Sequence, residues 1–310
     1  MPTAGTYTRV NYRVWLQAMR VPFYSVGLAP FFMGVALAWN HGYEISWAVI
    51  LSAAGGVFFI MLATYLLGEY FDFETDRINR EFNRFSGGGR AFLHRKEPPK
   101  SLLAVALLAV LVAGGSGLLL HFNFRTGSFT IPLGLTGIFC GIFYSTRPLQ
   151  WAYRGLGEVL IAFCYGWLTV NTGYYLMASH FHPTATLASL PVALSIFNVI
   201  LINEFPDYRA DLETGKRTLV VRCGKDMMGR LYCIVAGAAL VTLLGVVNLE
   251  EFSPKMVWSF FPLMALGGGK MLLVSMKLYR DRAILEKICG ATILFNLLIS
   301  LFILAAFIIS

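Results

Sequence analysis

Apolar residues in this chain fall in long unbroken runs separated by shorter charged stretches. Neither the period of two of a half-buried strand nor the 3.6-residue period of a surface helix describes such runs. Each is about 20 residues long, the length at which a helix crosses a hydrocarbon core of roughly 30 Å. The pattern predicts transmembrane helices at 22–40, 46–67, 102–121, 129–146, 155–178, 185–204, 229–248, 256–277 and 287–309. The expected fold class is all-α: a polytopic membrane protein of nine spans forming one domain over 1–310, with a first motif-bearing part at 22–146 and a second at 155–309. The opening MPTAGTYTRVNYRVWLQAMR is polar and basic without a short apolar core, so no cleavable signal is expected.

Composition agrees with the pattern. Hydrophobic residues make up 57% and charged residues 14% of the 310 positions, against about half and a quarter in soluble domains. The 25 Lys and Arg residues are unevenly spread: all but Arg125, Lys255 and Lys270 precede the first span or follow an even-numbered one. Basic residues accumulate on the cytoplasmic side. The N-terminus is therefore expected in the cytoplasm, the C-terminus outside, and the protein in the inner or plasma membrane. The net charge of +8 follows from this bias and favours the lipid bilayer as partner; nothing supports binding to nucleic acid. The five cysteines show no ligand spacing, and His180 and His182 have no acidic neighbour, so neither set suggests a metal site.

Two cytoplasmic loops, 68–101 and 205–228, are long enough to suggest function. Each opens on the same pattern, E-x-x-D-x-x-x-D: EYFDFETD at 69–76 and EFPDYRAD at 204–211. The repeat suggests a duplicated helical unit. Spacing of i, i+4 puts Asp72 with Asp76, and Asp207 with Asp211, on single helix faces, with Glu69 and Glu204 on the face of their respective motifs. Pro206 is expected to kink or restart the second helix. Acids at span ends can simply be solvated and paired with arginines, but two matching sets on one side would repel unless a cation joined them. Oxygen-only ligands suit Mg²⁺, which takes one or two carboxylates and completes its shell with water and phosphate. Asp72, Asp76, Asp207 and Asp211 are thus the candidate metal ligands and catalytic centre. Glycine-rich or basic stretches follow each motif, NRFSGGGRAF at 83–92 and TGKRTL at 214–219. Backbone N–H groups there, with Arg84, Arg90, Lys216 and Arg217, suit a phosphate. The implied ligand is a metal-chelated diphosphate carrying a lipid tail.

At these residues the chain resembles the UbiA superfamily of intramembrane prenyltransferases, marked by N-x-x-x-D-x-x-x-D after the second span and D-x-x-x-D after the sixth. The segments 15–39, with Arg20 at the membrane edge, 144–175 and 203–224 carry the likeness, and YRGLGE with GKRTL is most similar to the menaquinone-pathway branch, which prenylates 1,4-dihydroxy-2-naphthoate. The resemblance implies nine helices around a central cavity, under a cytoplasmic cap formed by the loops between spans two and three and spans six and seven. It implies a polyprenyl diphosphate and an aromatic acceptor as substrates, Mg²⁺ as cofactor, and loss of the ring carboxylate as CO₂. Gly68 replaces the family's first-motif Asn and Glu69 the following Asp, so Glu69 is expected to stand in as an auxiliary ligand alongside Asn203.

In the mechanism so implied, Arg20, Arg84, Arg90, Arg147, Lys216 and Arg217 neutralise the leaving diphosphate. Aromatic faces, with Tyr65, Tyr70, Tyr144, Tyr153, Tyr165 and Tyr174 as candidates, shelter the allylic cation. Glu158 is expected to orient a loop arginine, act on the acceptor or form a structural ion pair, and Lys270 to snorkel to the cytoplasmic edge. Other acceptors (4-hydroxybenzoate, a porphyrin or a glycerol-phosphate lipid) remain open, as does a non-enzymatic transporter. A transporter would place its acids nearer the bilayer midplane.

Overall fold

The structure, a computed structural model, describes residues 12–248 and 257–309. Arg9 and Lys255 of the charge pattern, and the first residue of the eighth apolar block, lie outside the described residues. Every regular element among the described residues is helical. In chain order these are α1 (Tyr12–Ala18), α2 (Ser25–Asn40), α3 (Trp47–Phe71), α4 (Phe73–Ile78), α5 (Ser101–Leu118), α6 (Thr130–Ser145), α7 (Gly157–Ile161) and α8 (Thr169–Ala178). They are followed by α9 (Pro183–Asn203), α10 (Tyr208–Thr214), α11 (Leu219–Cys223), α12 (Lys225–Val247), α13 (Val257–Ser275) and α14 (Arg282–Ile309).

Among the described residues, six stretches are long and apolar enough to cross a membrane: Tyr12–Asn40, Trp47–Phe71, Ser101–Asn123, Pro183–Asn203, Lys225–Val247 and Arg282–Ile309. The fourth and eighth apolar blocks give shorter helices, Thr130–Ser145 and Phe260–Ser275. At 1.5 Å per residue, a 16-residue helix such as α6 reaches only about 24 Å. The fifth block is interrupted by a π-helical turn, Ala162–Leu168, between α7 and α8. Such turns re-aim side chains within a helix and are frequent at functional sites.

Two of the long helices start where the sequence meets the needs of their first N–H groups. The Ser46 hydroxyl accepts from Val49 N–H at the start of α3, and Pro183 opens α9, where no N–H is needed. A central core joins α2, α8, α9, α12 and α14 through Met33, Val170, Val192, Leu243 and Phe295, all at most 8% exposed. A second core joins α3 and α5 to α9 through Leu62, Leu66, Ala106 and Val199.

Between α2 and α8 the backbones touch. A Cβ on Gly34 would stand 2.0 Å from the Val170 carbonyl oxygen, and one on Gly173 would stand 2.1 Å from that of Phe31. Membrane helices gain stability from such close approach because lipid offers no hydrophobic drive between them. Gly173→Ala is expected to cost about 1–3 kcal/mol by forcing the pair apart. Thermal unfolding in detergent checks it, and an unshifted midpoint would refute the contact.

Lys270 corrects an expectation. It does not snorkel: it is 2% exposed, its Nζ donates to the Tyr232 hydroxyl at 3.2 Å, and it lies 4.3 Å from the Phe295 ring centroid. The aromatic faces of α12 and α14 hold the amine inside the bundle.

Candidate active site

Both acidic motifs adopt one local design. α3 ends at Phe71, Asp72 caps it, and the short α4 begins at Phe73. α9 ends at Asn203, Pro206 breaks the chain, and α10 begins at Tyr208 with Asp207 as its cap. In each, the amide of the second aspartate donates to the carbonyl of the first, Asp76 to Asp72 at 2.8 Å and Asp211 to Asp207 at 2.9 Å. The i, i+4 spacing thus survives both helix breaks.

The two short helices face each other. Thr75 Oγ1 donates to Thr214 Oγ1 at 3.0 Å, and Asn79 Nδ2 donates to Asp207 Oδ1 at 2.7 Å. Asp72, Asp76, Asp207 and Asp211, though 135 residues apart in chain order between corresponding positions, therefore line one cavity of about 180 Å³. Glu69, Asn203, Glu204, Arg20, Lys216, Tyr144 and the run Ser86–Gly89 line it with them.

Charge in this cavity is dominated by acids. Lys216 Nζ stands 3.7 Å from Asp72 Oδ1 and 3.9 Å from Asp211 Oδ1, bridging the motifs. Burial alone would lower the Lys216 pKa, but Asp72 and Asp211 outweigh it and push it well up. Burial raises the carboxyls in turn: Asp211 is pushed up to about 7 against the pull of Lys216. Asp207 is raised by burial, and Asp76 is raised well above the usual range by burial and by Asp72. Tyr153 donates its hydroxyl to Asp72 Oδ1 at 2.7 Å, and burial, with Asp72 close by, holds that phenol well above its ordinary value.

The donor set suits a hard divalent cation. Both Asp211 carboxylate oxygens, Asn203 Oδ1 and Glu204 Oε2 are buried without a hydrogen-bond partner. Orphaned oxygens of this kind are costly unless something cationic or donating meets them. Among the described residues no group of three or more acidic, His or Cys side chains could by itself hold a metal. Any Mg²⁺ bound there would take one or two of the carboxylates and need its remaining ligands from phosphate and water. Asp72 and Asp76 on one side, with Asp207 and Asp211 on the other, would hold it.

Several expected residues are not brought in. Arg84 is 83% exposed and pairs with Glu286 at 3.3 Å. Arg90 lies 3.7 Å over the Phe82 ring and donates to the Asp76 carbonyl at 2.7 Å, so its guanidinium braces the loop. Arg147 and Arg217 are exposed and do not line the cavity. Glu158 is 1% exposed, and its Oε1 accepts the Leu219 N–H at 2.9 Å, anchoring the start of α11. Tyr65 and Tyr165 line the cavity, whereas Tyr174 lies away from it, bonded to His41 at 3.0 Å, and Tyr70 does not line it. Sequence reading gave no role to Asn79, Ser86 or Glu204. Glu204 occupies the same place in the second motif as Glu69 in the first, which was the available signal; Asn79 and Ser86 carried none.

A second, apolar cavity of about 110 Å³ runs between α3, α5, α6 and α8, past Gly56, Gly117, Gly134 and Gly137. Thr64, Tyr144, Ile161 and Tyr165 line both cavities. The charged pocket thus adjoins an apolar one across two tyrosines.

A profile of the UbiA prenyltransferase family matches residues 27–299. The chain belongs to the UbiA prenyltransferase family. Among relatives of this UbiA member, 1,4-dihydroxy-2-naphthoate octaprenyltransferase of Escherichia coli is 28% identical over 298 residues, covering 92% of this chain and 93% of that protein. The 2-carboxy-1,4-naphthoquinone phytyltransferase of Synechocystis sp. is 25% identical over 253 residues, covering 79% of this chain and 78% of that protein. The fold matches a UbiA homolog from Archaeoglobus fulgidus solved with DMAPP and Mg²⁺, with TM-score 0.61 at 12% identity over 94% of this chain and 99% of that one. This UbiA chain is accordingly an all-helical membrane prenyltransferase.

Proposed function

We propose that the chain transfers a polyprenyl group from its diphosphate to a ring carbon of 1,4-dihydroxy-2-naphthoate, using Mg²⁺, in quinone biosynthesis. The observation that carries this reading is the convergence of both acidic motifs and Lys216 on one cavity that meets an apolar cavity at Tyr144 and Tyr165. The two relatives support the acceptor: their named prenyl groups differ, octaprenyl and phytyl, while both names carry a carboxylated naphthalene ring system.

Asp72, Asp76, Asp207 and Asp211 would hold the metal, which when bound would supply positive charge against that building on the leaving diphosphate. Lys216 and Arg20 are the cationic side chains lining the cavity, and they take the diphosphate oxygens directly. Tyr144 and Tyr165 stand where the charged and apolar spaces meet, Tyr65 lines the charged one beside them, and the three present ring faces to the allylic cation. Apolar walls at Ile161, Ile196 and Val199 keep water from that cation. The C–O bond breaks first, its electron pair leaving with the diphosphate. The acceptor's carboxylated ring carbon then attacks the allylic cation with a π pair to form the C–C bond. The carboxylate leaves as CO₂, its bonding pair restoring the aromatic ring.

The reading extends to the placement of the chain. It is one domain of nine spans in the inner or plasma membrane, its N-terminus in the cytoplasm and its C-terminus outside. Loops 68–101 and 205–228 form the cytoplasmic cap. The one-sided distribution of Lys and Arg supports that orientation.

Purified protein incubated with a polyprenyl diphosphate, Mg²⁺ and a panel of aromatic acids tests this, with products identified by mass spectrometry. The naphthoate is expected to be prenylated and decarboxylated; prenylation of another acid alone would overturn the acceptor. Excess chelator is expected to reduce turnover by about 10²-fold or more, and added Mg²⁺ to restore it. Full turnover in chelator would remove the metal from the account.

A further inference from the structure

The motif pattern makes Glu69 a candidate metal ligand, but its carboxylate is already committed. Oε2 accepts the N–H of Gly89 at 2.9 Å, and Oε1 accepts that of Ala91 at 2.7 Å. The side chain is 6% exposed, so these bonds are screened from water. The loop lies flat on it: a Cβ on Gly89 would stand 2.6 Å from Glu69 Oε2 and 3.0 Å from the Gln17 carbonyl oxygen.

The two preceding glycines are fitted to other acids. Gly88, at φ +68°, leaves no room for a Cβ against the Asp76 carboxylate, where it would stand 1.8 Å from Oδ2. Gly87, at φ +72°, donates its N–H to Asp207 Oδ2 at 3.2 Å. Three successive glycines therefore each meet one acid: Asp207 of the second motif, then Asp76 and Glu69 of the first. Positive φ at Gly87 and Gly88 brings the backbone this close, at a conformation costly for other residues.

We propose that Glu69 is a positioning residue rather than a metal ligand. It clamps the backbone of the Gly87–Ala91 segment so that the glycine run sits in register over both acidic motifs and forms a fixed roof for the diphosphate. The proposal rests on the reading of the cavity as a diphosphate site. It accounts for a Glu in this position, since its extra methylene lets one carboxylate reach two amides of the loop.

The test uses the full chain in detergent with Glu69→Gln and Gly89→Ala, which disturb the clamp from its two sides. Three quantities are read: Mn²⁺ affinity by electron paramagnetic resonance, tryptic cleavage after Arg90, and KM and kcat for the prenyl diphosphate. Both variants are expected to keep Mn²⁺ affinity within about threefold of the parent, to be cleaved after Arg90 roughly tenfold faster or more, and to raise KM by about tenfold with a smaller change in kcat. A loss of Mn²⁺ affinity of about tenfold or more in Glu69→Gln, with the cleavage rate unchanged, would make Glu69 a ligand and overturn the proposal. Unchanged cleavage in both variants would overturn it as well. Cleavage and Mn²⁺ binding need no substrate, so they judge the clamp even if the parent protein proves to prenylate nothing, an outcome that would instead sink the proposed function.

Discussion

Asp72→Asn and Asp211→Asn will each lower kcat/KM for prenyl transfer by about 10²–10³-fold or more, with the protein still monodisperse and helical. The size of the effect follows from where the charge sits. Asp211 has both oxygens buried without a hydrogen-bond partner, and Asp72 is the one of the four aspartates bonded to Tyr153 while also facing Lys216. An amide of the same shape keeps the packing and removes the charge that a metal would neutralise. Arg84→Ala serves as the contrast, because that side chain is 83% exposed and faces Glu286 rather than the cavity. Its kcat/KM is expected to stay within about twofold, in keeping with the small worth of exposed ion pairs. Steady-state kinetics across the three variants checks the ranking, and an Arg84 effect as large as that of Asp211 would overturn it.

The second large effect concerns the lipid tail. Gly134 lines the apolar cavity, and a Cβ placed there meets nothing within 4 Å. Gly134→Phe is therefore expected to place its ring in tail space. Donors of 20 carbons or more are expected to lose about 10²-fold or more in kcat/KM, while dimethylallyl diphosphate changes by about threefold at most. The selectivity between the two donors is the readout. Equal loss for both would mean that the tail does not run past α6.

Much of this architecture was legible in the chain. Apolar runs gave the helices of the bundle because a membrane leaves the backbone little alternative to helix. The two E-x-x-D-x-x-x-D copies gave the four aspartates, and the i, i+4 spacing held at the level of a single amide bond in each. Other features depended on which atoms a fold brings together, and sequence does not carry that. The resemblance made Glu69 an expected auxiliary ligand, and nothing in the sequence showed that the loop bends back so that both its oxygens accept N–H groups of Gly89 and Ala91. Arg84 and Arg90 read as phosphate-binding cations because they flank glycines, yet one faces solvent and the other braces the loop against Phe82. Lys270 looked free to reach the membrane edge until α12 and α14 supplied aromatic faces around it. Charge and glycine content in a loop do not say which of its side chains turn inward.

The central claim is that two motifs far apart in the chain act as one metal-dependent diphosphate site. Its most direct test is a double-mutant cycle on binding of a non-ionising prenyl thiodiphosphate, using the parent, Asp72→Asn, Asp211→Asn and the double variant, with Mg²⁺ and with chelator. The parent is expected to bind only with Mg²⁺, each single variant to lose most of that affinity, and the double variant to lose little more, because groups sharing one ligand do not act additively. Two losses that simply add, or binding indifferent to chelator, would mean that the motifs serve separate purposes.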